Sequence, residues 1–182
     1  MNDHVHSITS LRPNVTREEA ARALRPGIAR RLSDGPLRSF ADVYVPYRIC
    51  RVEITSGGVT RTRFLAFDAA FGTLDPYEFK NVPDDAQTTA VQTRNALPAT
   101  IDETRAVELL TDKVRRLVFL QGFFKLRDMS IRVEPLPLIV HVPYWIGFYG
   151  RGERASIQVL DAVRRTHEGS KMRHVLTNWL TT

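Results

Sequence analysis

The side chains that can do chemistry in this chain are few and scattered. The histidines are His4, His6, His141, His167 and His174. His4-x-His6 has the spacing of a metal-ligating pair, but it stands at a chain end, where fraying is the expectation. His167 and His174 are separated by two helical turns' worth of chain, with Gly169 breaking the helix between them. Neither pair has a Cys, Asp or Glu cluster at ligand spacing, so no metal site and no cofactor is expected. His141 alternates outward from an apolar strand face, which makes it a surface or cover-layer residue. Cys50 is the sole cysteine. An internal disulfide and any multi-cysteine zinc or iron–sulfur site are therefore excluded, and its strand-like surroundings predict a buried, inert thiol.

Asp68 and Asp161 are the acids that recur at equivalent places in two similar segments. Paired carboxylates can divide acid and base roles. An aspartate that opens a turn, its carboxylate accepting a backbone amide, fits the position after a strand better. Gly57-Gly58 and Gly150-x-Gly152 follow strands without a helix behind them, so neither cradles phosphate, and no Gly-x-Ser-x-Gly elbow occurs. No catalytic residue is assigned and enzyme activity is not expected.

One aromatic cluster stands out: Tyr144, Trp145, Phe148 and Tyr149, beside Arg151 and Arg154. As a binding site, Tyr144, Trp145, Tyr149, Arg151 and Arg154 would form a stacking or docking surface. The alternative is that Trp145 and Tyr149 are covered by a C-terminal helix through Val175, Trp179 and Leu180.

The net charge is +6, carried mainly by arginine. A phosphate-binding surface is one reading. Yet Arg17, Arg22, Arg25, Arg30, Arg31, Arg115, Arg116, Arg164 and Arg165 are dispersed, with no basic run of the kind that marks a nucleic-acid arm. At 43% hydrophobic and 25% charged, the composition is that of a soluble globular chain long enough to bury a core. No secretory signal or membrane span is read from it, and the default location is cytoplasmic.

The elements that must position these residues come twice. Val43-Tyr44-Val45-Pro46-Tyr47-Arg48-Ile49 matches Val140-His141-Val142-Pro143-Tyr144-Trp145-Ile146. Downstream, Arg61 to Asp68-Ala69 matches Arg154 to Asp161-Ala162. Upstream, Thr16-Arg17-Glu18-Glu19 and Thr100-Ile101-Asp102-Glu103 each read as a capping box. The first helix carries Ala20, Ala21, Leu24, Ile28 and Leu32 and is interrupted at Pro26; the second carries Val107, Leu110, Val114, Leu117 and Val118 and stops near Gly122. On the strands, Val43, Val45, Tyr47 and Ile49, and again Val140, Val142, Tyr144 and Ile146, form one face with period two, the mark of a core. Ser56-Gly57-Gly58 and Gly150-Arg151-Gly152 turn the hairpins, with return strands over about 59–68 and 154–161. Pro46 and Pro143 are expected at an edge, a bulge or an outward-facing amide. The second half adds a strand over 129–134 and a helix over 170–180; the first continues past Gly72 into a short strand containing Pro76.

The expected fold is α+β, with two pseudo-repeated modules, each a helix on an antiparallel hairpin, and an extra C-terminal helix. The modules span 1–80 and 100–182, joined by a connector over 81–99, unless the halves merge into one pseudo-symmetric domain.

The order Thr16-Arg17-Glu18-Glu19-Ala20, hairpin, Asp68-Ala69-Ala70-Phe71-Gly72 resembles PepSY-type domains. The resemblance covers about 14–75 well and 98–165 less closely, since Arg165 stands where Gly72 does. It implies a small non-catalytic α+β module, often outside the cytoplasm and thought to bind or restrain peptidases. The expected function is a non-catalytic binding or assembly module acting on a protein or peptide through a sheet face or edge. A basic nucleic-acid-binding protein is the alternative, and a small-molecule enzyme the third.

Overall fold

The apolar alternation of Val43 to Ile49 and of Val140 to Ile146 lies within two long strands. The computed structural model describes residues 5–27, 31, 34–120, 129–150, 152 and 155–181. In chain order these form β1 (His6–Leu11), α1 (Arg17–Ala23), β2 (Leu37–Ser56), β3 (Val59–Asp68), β4 (Tyr77–Phe79), β5 (Thr88–Thr93), α2 (Glu103–Leu120), β6 (Ser130–Tyr149), β7 (Ser156–Asp161) and α3 (Ser170–Thr181). The fold is mixed α and β. The strands follow the hydrogen-bonded order β4-β3-β2-β6-β1-β5, with β7 paired to β6. Among the described residues no helix is long and apolar enough to cross a membrane.

Two compact units are present, and neither follows chain order. One comprises Met1–Val45, Gln87–Leu97 and His141–Thr182; the other comprises Pro46–Ala86 and Pro98–Val140. In the second unit, Cys50, Val52, Leu65 and Phe67 of the β2–β3 hairpin pack on Ala106, Leu110, Val114 and Val118 of α2. Those helix residues recur every four positions, a single stripe. Leu117, expected in that stripe, lies off it and is 49% exposed. In the first unit, Val15, Ala20 and Leu24 from α1 and its flanks pack on Leu160 and Ala162, with Leu37, Phe40 and Trp145 around them. Each helix therefore packs on the hairpin from the other half of the chain. The short helix α3 buries Met172 and Leu176 and lies beside β7.

The shared strand face is core, as its alternation predicts: Val43, Val45, Tyr47, Ile49, Val140, Val142, Tyr144 and Ile146 are all buried. The prolines between them are buried too, rather than at an outer edge. Each stands where its strand changes partner. The Pro46 carbonyl accepts from Ala69 at the end of the β2–β3 ladder, whereas Tyr44 bonds Asn95 and Leu97. Likewise the Pro143 carbonyl accepts from Ala162, while His141 bridges Ser10 in parallel. A residue without an amide donor fits a handover at which no ladder needs one.

Four further expectations are corrected. The cap of α2 is Asp102, whose Oδ1 accepts from the Arg105 amide at 2.8 Å, while Thr100 Oγ1 donates to the Ala70 carbonyl at 2.7 Å. The capping box at Thr16 does form, with Glu19 returning to the Thr16 amide at 2.9 Å. The strand expected over 129–134 is the first part of β6, which runs through Pro135 and Pro137 without a break. The stretch 81–99 carries β5, and the chain end expected to fray carries β1, which pairs antiparallel with β5 over six residues. His167 bridges Leu160, so the second hairpin also has a short third partner. Ile28, Leu32 and Gly122 lie outside the described residues.

Candidate functional site

The two recurring aspartates serve turns. Asp68 is fully buried, and its carboxylate accepts four backbone amides: Ala70 and Phe71 on Oδ1 at 3.0 and 2.9 Å, Thr73 and Leu74 on Oδ2 at 3.2 and 3.1 Å. Asp161, also fully buried, accepts from Val163 and Arg164 on Oδ1 at 2.8 and 2.7 Å. Burial pushes the Asp161 carboxyl above the usual aspartate range, and the two amides partly offset that. The turns in turn hold the helix entries. The Ala69 carbonyl accepts from Thr100 and Ile101, and the Ala162 carbonyl accepts from Asn14.

The aromatic cluster is inside the protein. Tyr144 and Tyr149 are 2% and 3% exposed. The Tyr149 hydroxyl donates to the Leu24 carbonyl. Trp145 packs against Phe40, ring centroids 5.8 Å apart, and its Nε1 donates to the Val15 carbonyl at 3.4 Å. Trp145 and Tyr149 thus meet α1 and its flanks, while Leu180 of the C-terminal helix, expected to cover them, is exposed. Arg151 and Arg154 lie outside the described residues. Stacking on a base or side chain needs an open ring face, and Tyr144 and Tyr149 offer none.

Neither Cys50 nor the histidines assemble into a centre. The Cys50 thiol is buried and pushed up to about 11, chiefly by that burial. His141 is half-buried, its Nδ1 3.3 Å from the Thr9 carbonyl, and burial lowers it below the usual histidine range. No group of three or more His, Cys, Asp or Glu able to hold a metal ion occurs among the described residues.

The open feature is at the tip of the β2–β3 hairpin. Gly57 and Gly58, at φ 55° and 76°, form the two-residue turn that joins Ser56 to Val59. Such a turn needs left-handed backbone at both positions, which glycine supplies without strain. The register runs from Tyr47↔Asp68 to Ser56↔Val59. The Ala69 amide donates to Pro46, so Ser56↔Val59, Ile54↔Arg61 and Val52↔Arg63 are the hydrogen-bonded pairs of the ladder. Hence the amides and carbonyls of Thr60, Thr62, Phe64 and Ala66 point away from β2. β4 takes up Phe64 and Ala66, pairing with them through Phe79 and Tyr77. Among the described residues no strand pairs with Thr60 or Thr62 on the side away from β2.

Beside this free edge lies a groove of about 450 Å³, lined by Ile54, Val59, Arg61 and Arg63 of the hairpin, Glu78 of β4, and Leu117 of α2, among others. Its floor continues the core face outward, since Ile54, Val59, Arg61 and Leu65 share the side of the hairpin that packs on α2. Val59 and Leu117 are 60% and 49% exposed. Arg63 is paired to Glu78 at 3.2 Å, both largely exposed, an interaction worth little. Arg61 has no ion-pair partner among the described residues. An apolar trough with one uncommitted guanidinium, beside outward main-chain groups, can hold an extended peptide.

No residue named for binding from sequence lies here. The signal that was present is Val59, Arg61 and Arg63 alternating on a short return strand, but the direction of each amide follows only from the register. Comparison with protein-family models, with curated proteins and with solved structures finds no match.

Proposed function

We propose that this chain is a non-catalytic module that binds an extended segment of a partner protein, adding it as a strand to the outer edge of β3. The observation that carries the reading is the pair of outward backbone positions at Thr60 and Thr62, unpaired beside an apolar groove. Main-chain bonds to such an edge supply affinity without regard to sequence, and alternate side chains of the added strand enter the groove and supply specificity. Arg61 and Arg63 give the edge a positive character, so an apolar segment flanked by a carboxylate is the preferred ligand. The same charges set two copies of this edge against each other. Each main-chain bond is worth about 0.5–1.5 kcal/mol net. With the ordering of both partners to offset, affinity on the order of micromolar is expected. The resemblance to PepSY-type domains points in the same direction, toward a binding module without catalysis.

A second inference concerns origin. Both hairpins end in a buried aspartate turn, both long strands change partner at a proline, and both turns hold a helix entry. These correspondences support two diverged copies of one unit, intertwined so that each helix serves the other copy's hairpin.

The test is selection of a displayed random dodecamer library on the immobilised full chain, run in parallel on Thr62→Pro. The Thr62 amide points away from β2, so proline there removes an edge donor and leaves the hairpin ladder intact. The reading expects enriched peptides with an acidic residue beside apolar ones, bound at least ten-fold more weakly by a folded Thr62→Pro. Equal binding to both proteins, or no enrichment over an unrelated control, overturns it.

A further inference from the structure

The two ends of the strand order are built differently. β4, three residues long, carries Glu78 and is flanked by Pro76 and Lys80. Shortness, charge and proline are the devices that keep an edge from pairing with another chain. β5 has none of them. It runs Thr88-Thr89-Ala90-Val91-Gln92-Thr93, without charge or proline, and its six-residue register with β1 contains no bulge. The Arg12 amide donates to the Gln87 carbonyl, which makes Ser10↔Thr89 and Ile8↔Val91 hydrogen-bonded pairs. Ala90 and Gln92 therefore direct their backbone groups outward, both residues are exposed, and no further strand pairs with β5 among the described residues.

The charges at the ends of β5 are opposite. Asp84 and Asp85 precede it and Arg94 follows it. Under antiparallel pairing of β5 with β5 of a second molecule, a two-fold axis passes through Ala90. Each copy's Arg94 then comes to the end where its partner carries Asp84 and Asp85. An isologous contact needs this self-complementarity. The neutral centre brings no like charges together, even though the molecule as a whole is basic. A foreign segment would have to match both the neutral centre and the oppositely charged ends, and a second copy does so by construction.

We infer that β5 is a self-association edge, through which two copies of this chain pair antiparallel. The geometry extends the strand order across the dyad and is independent of the peptide edge on β3, which is guarded by Arg61 and Arg63.

The experiment is sedimentation velocity of the full chain between about 1 and about 100 μM, a range that brackets typical weak dimers. The wild type is expected to shift from monomer to dimer across it. Gln92→Pro, whose amide points away from β1, and Gln92→Lys, a surface change that sets two cations near the dyad, are each expected to weaken the dimer at least ten-fold. Arg94→Glu should do the same, and combining it with Asp84→Arg and Asp85→Arg should restore dimerisation. A wild type that stays monomeric at the highest concentration overturns the inference. So does a folded Gln92→Lys that dimerises as the wild type does.

Discussion

Arg165 takes a φ of 59° after the Asp161 turn, in the place that Gly72, at 70°, holds after Asp68. A β-carbon in left-handed backbone costs roughly 1–2 kcal/mol, and glycine's extra freedom in the unfolded chain returns about 0.5–1 of that. Arg165→Gly should therefore raise the free energy of unfolding by about 0.5–1 kcal/mol in urea titration. Gly72→Ala should lower it by more, because its new methyl would lie 3.2 Å from Leu109 Cδ1.

Asparagine at each buried aspartate tests the turns. Both Asp68 oxygens accept amides, so Asp68→Asn turns a donor toward amides that need an acceptor and should cost about 2 kcal/mol or more. At Asp161 the Val163 and Arg164 amides both meet Oδ1, which asparagine also supplies. Asp161→Asn therefore keeps an acceptor for these two amides.

The sign of the pH dependence follows from burial. Asp161 is raised in the folded state, so between its ordinary and its raised value the folded protein holds a proton that the unfolded chain has lost. Its contribution to stability falls as pH rises through that window. The stability of Asp161→Asn relative to wild type should then increase from about pH 4 to about pH 7, read by denaturant midpoints.

The cap of α2 is tested by Asp102→Ala, which should cost about 1 kcal/mol. Thr100→Ser keeps the hydroxyl that donates to Ala70 and should be nearly silent. Tolerance of Asp102→Ala would contradict that cap.

Cys50, with its thiol at about 11, is almost wholly protonated near neutrality. Iodoacetamide at about pH 8 should label it only as fast as the protein unfolds, and rapid labelling of the native protein would contradict its place in the core.

The strand faces were legible because Val43 to Ile49 and Val140 to Ile146 alternate with large apolar residues, and a register slip would expose them all. Gly57-Gly58 made the first hairpin turn legible for a local reason, its backbone conformation. What α1 and α2 pack on was not, since an amphipathic stripe states that a helix is covered and not by which strand. β5 is not legible in the sequence because Thr, Ala and Gln give little contrast between its faces. The edge at Thr60 and Thr62 was hidden for a geometric reason. Which amides point outward depends on the pairing, and Arg61 and Arg63 looked like two more of many dispersed arginines.

The central claim is that an added strand pairs with the outer edge of β3, and amide hydrogen exchange resolved by residue tests it most directly. The probe is the tightest dodecamer recovered on the full chain. Without peptide, the Thr60 and Thr62 amides should exchange faster than those of Arg61 and Arg63, which bond to β2. With peptide, Thr60 and Thr62 should slow by at least ten-fold while the amides of β5 are unchanged. Protection that falls elsewhere and leaves Thr60 and Thr62 exchanging as before would contradict the account.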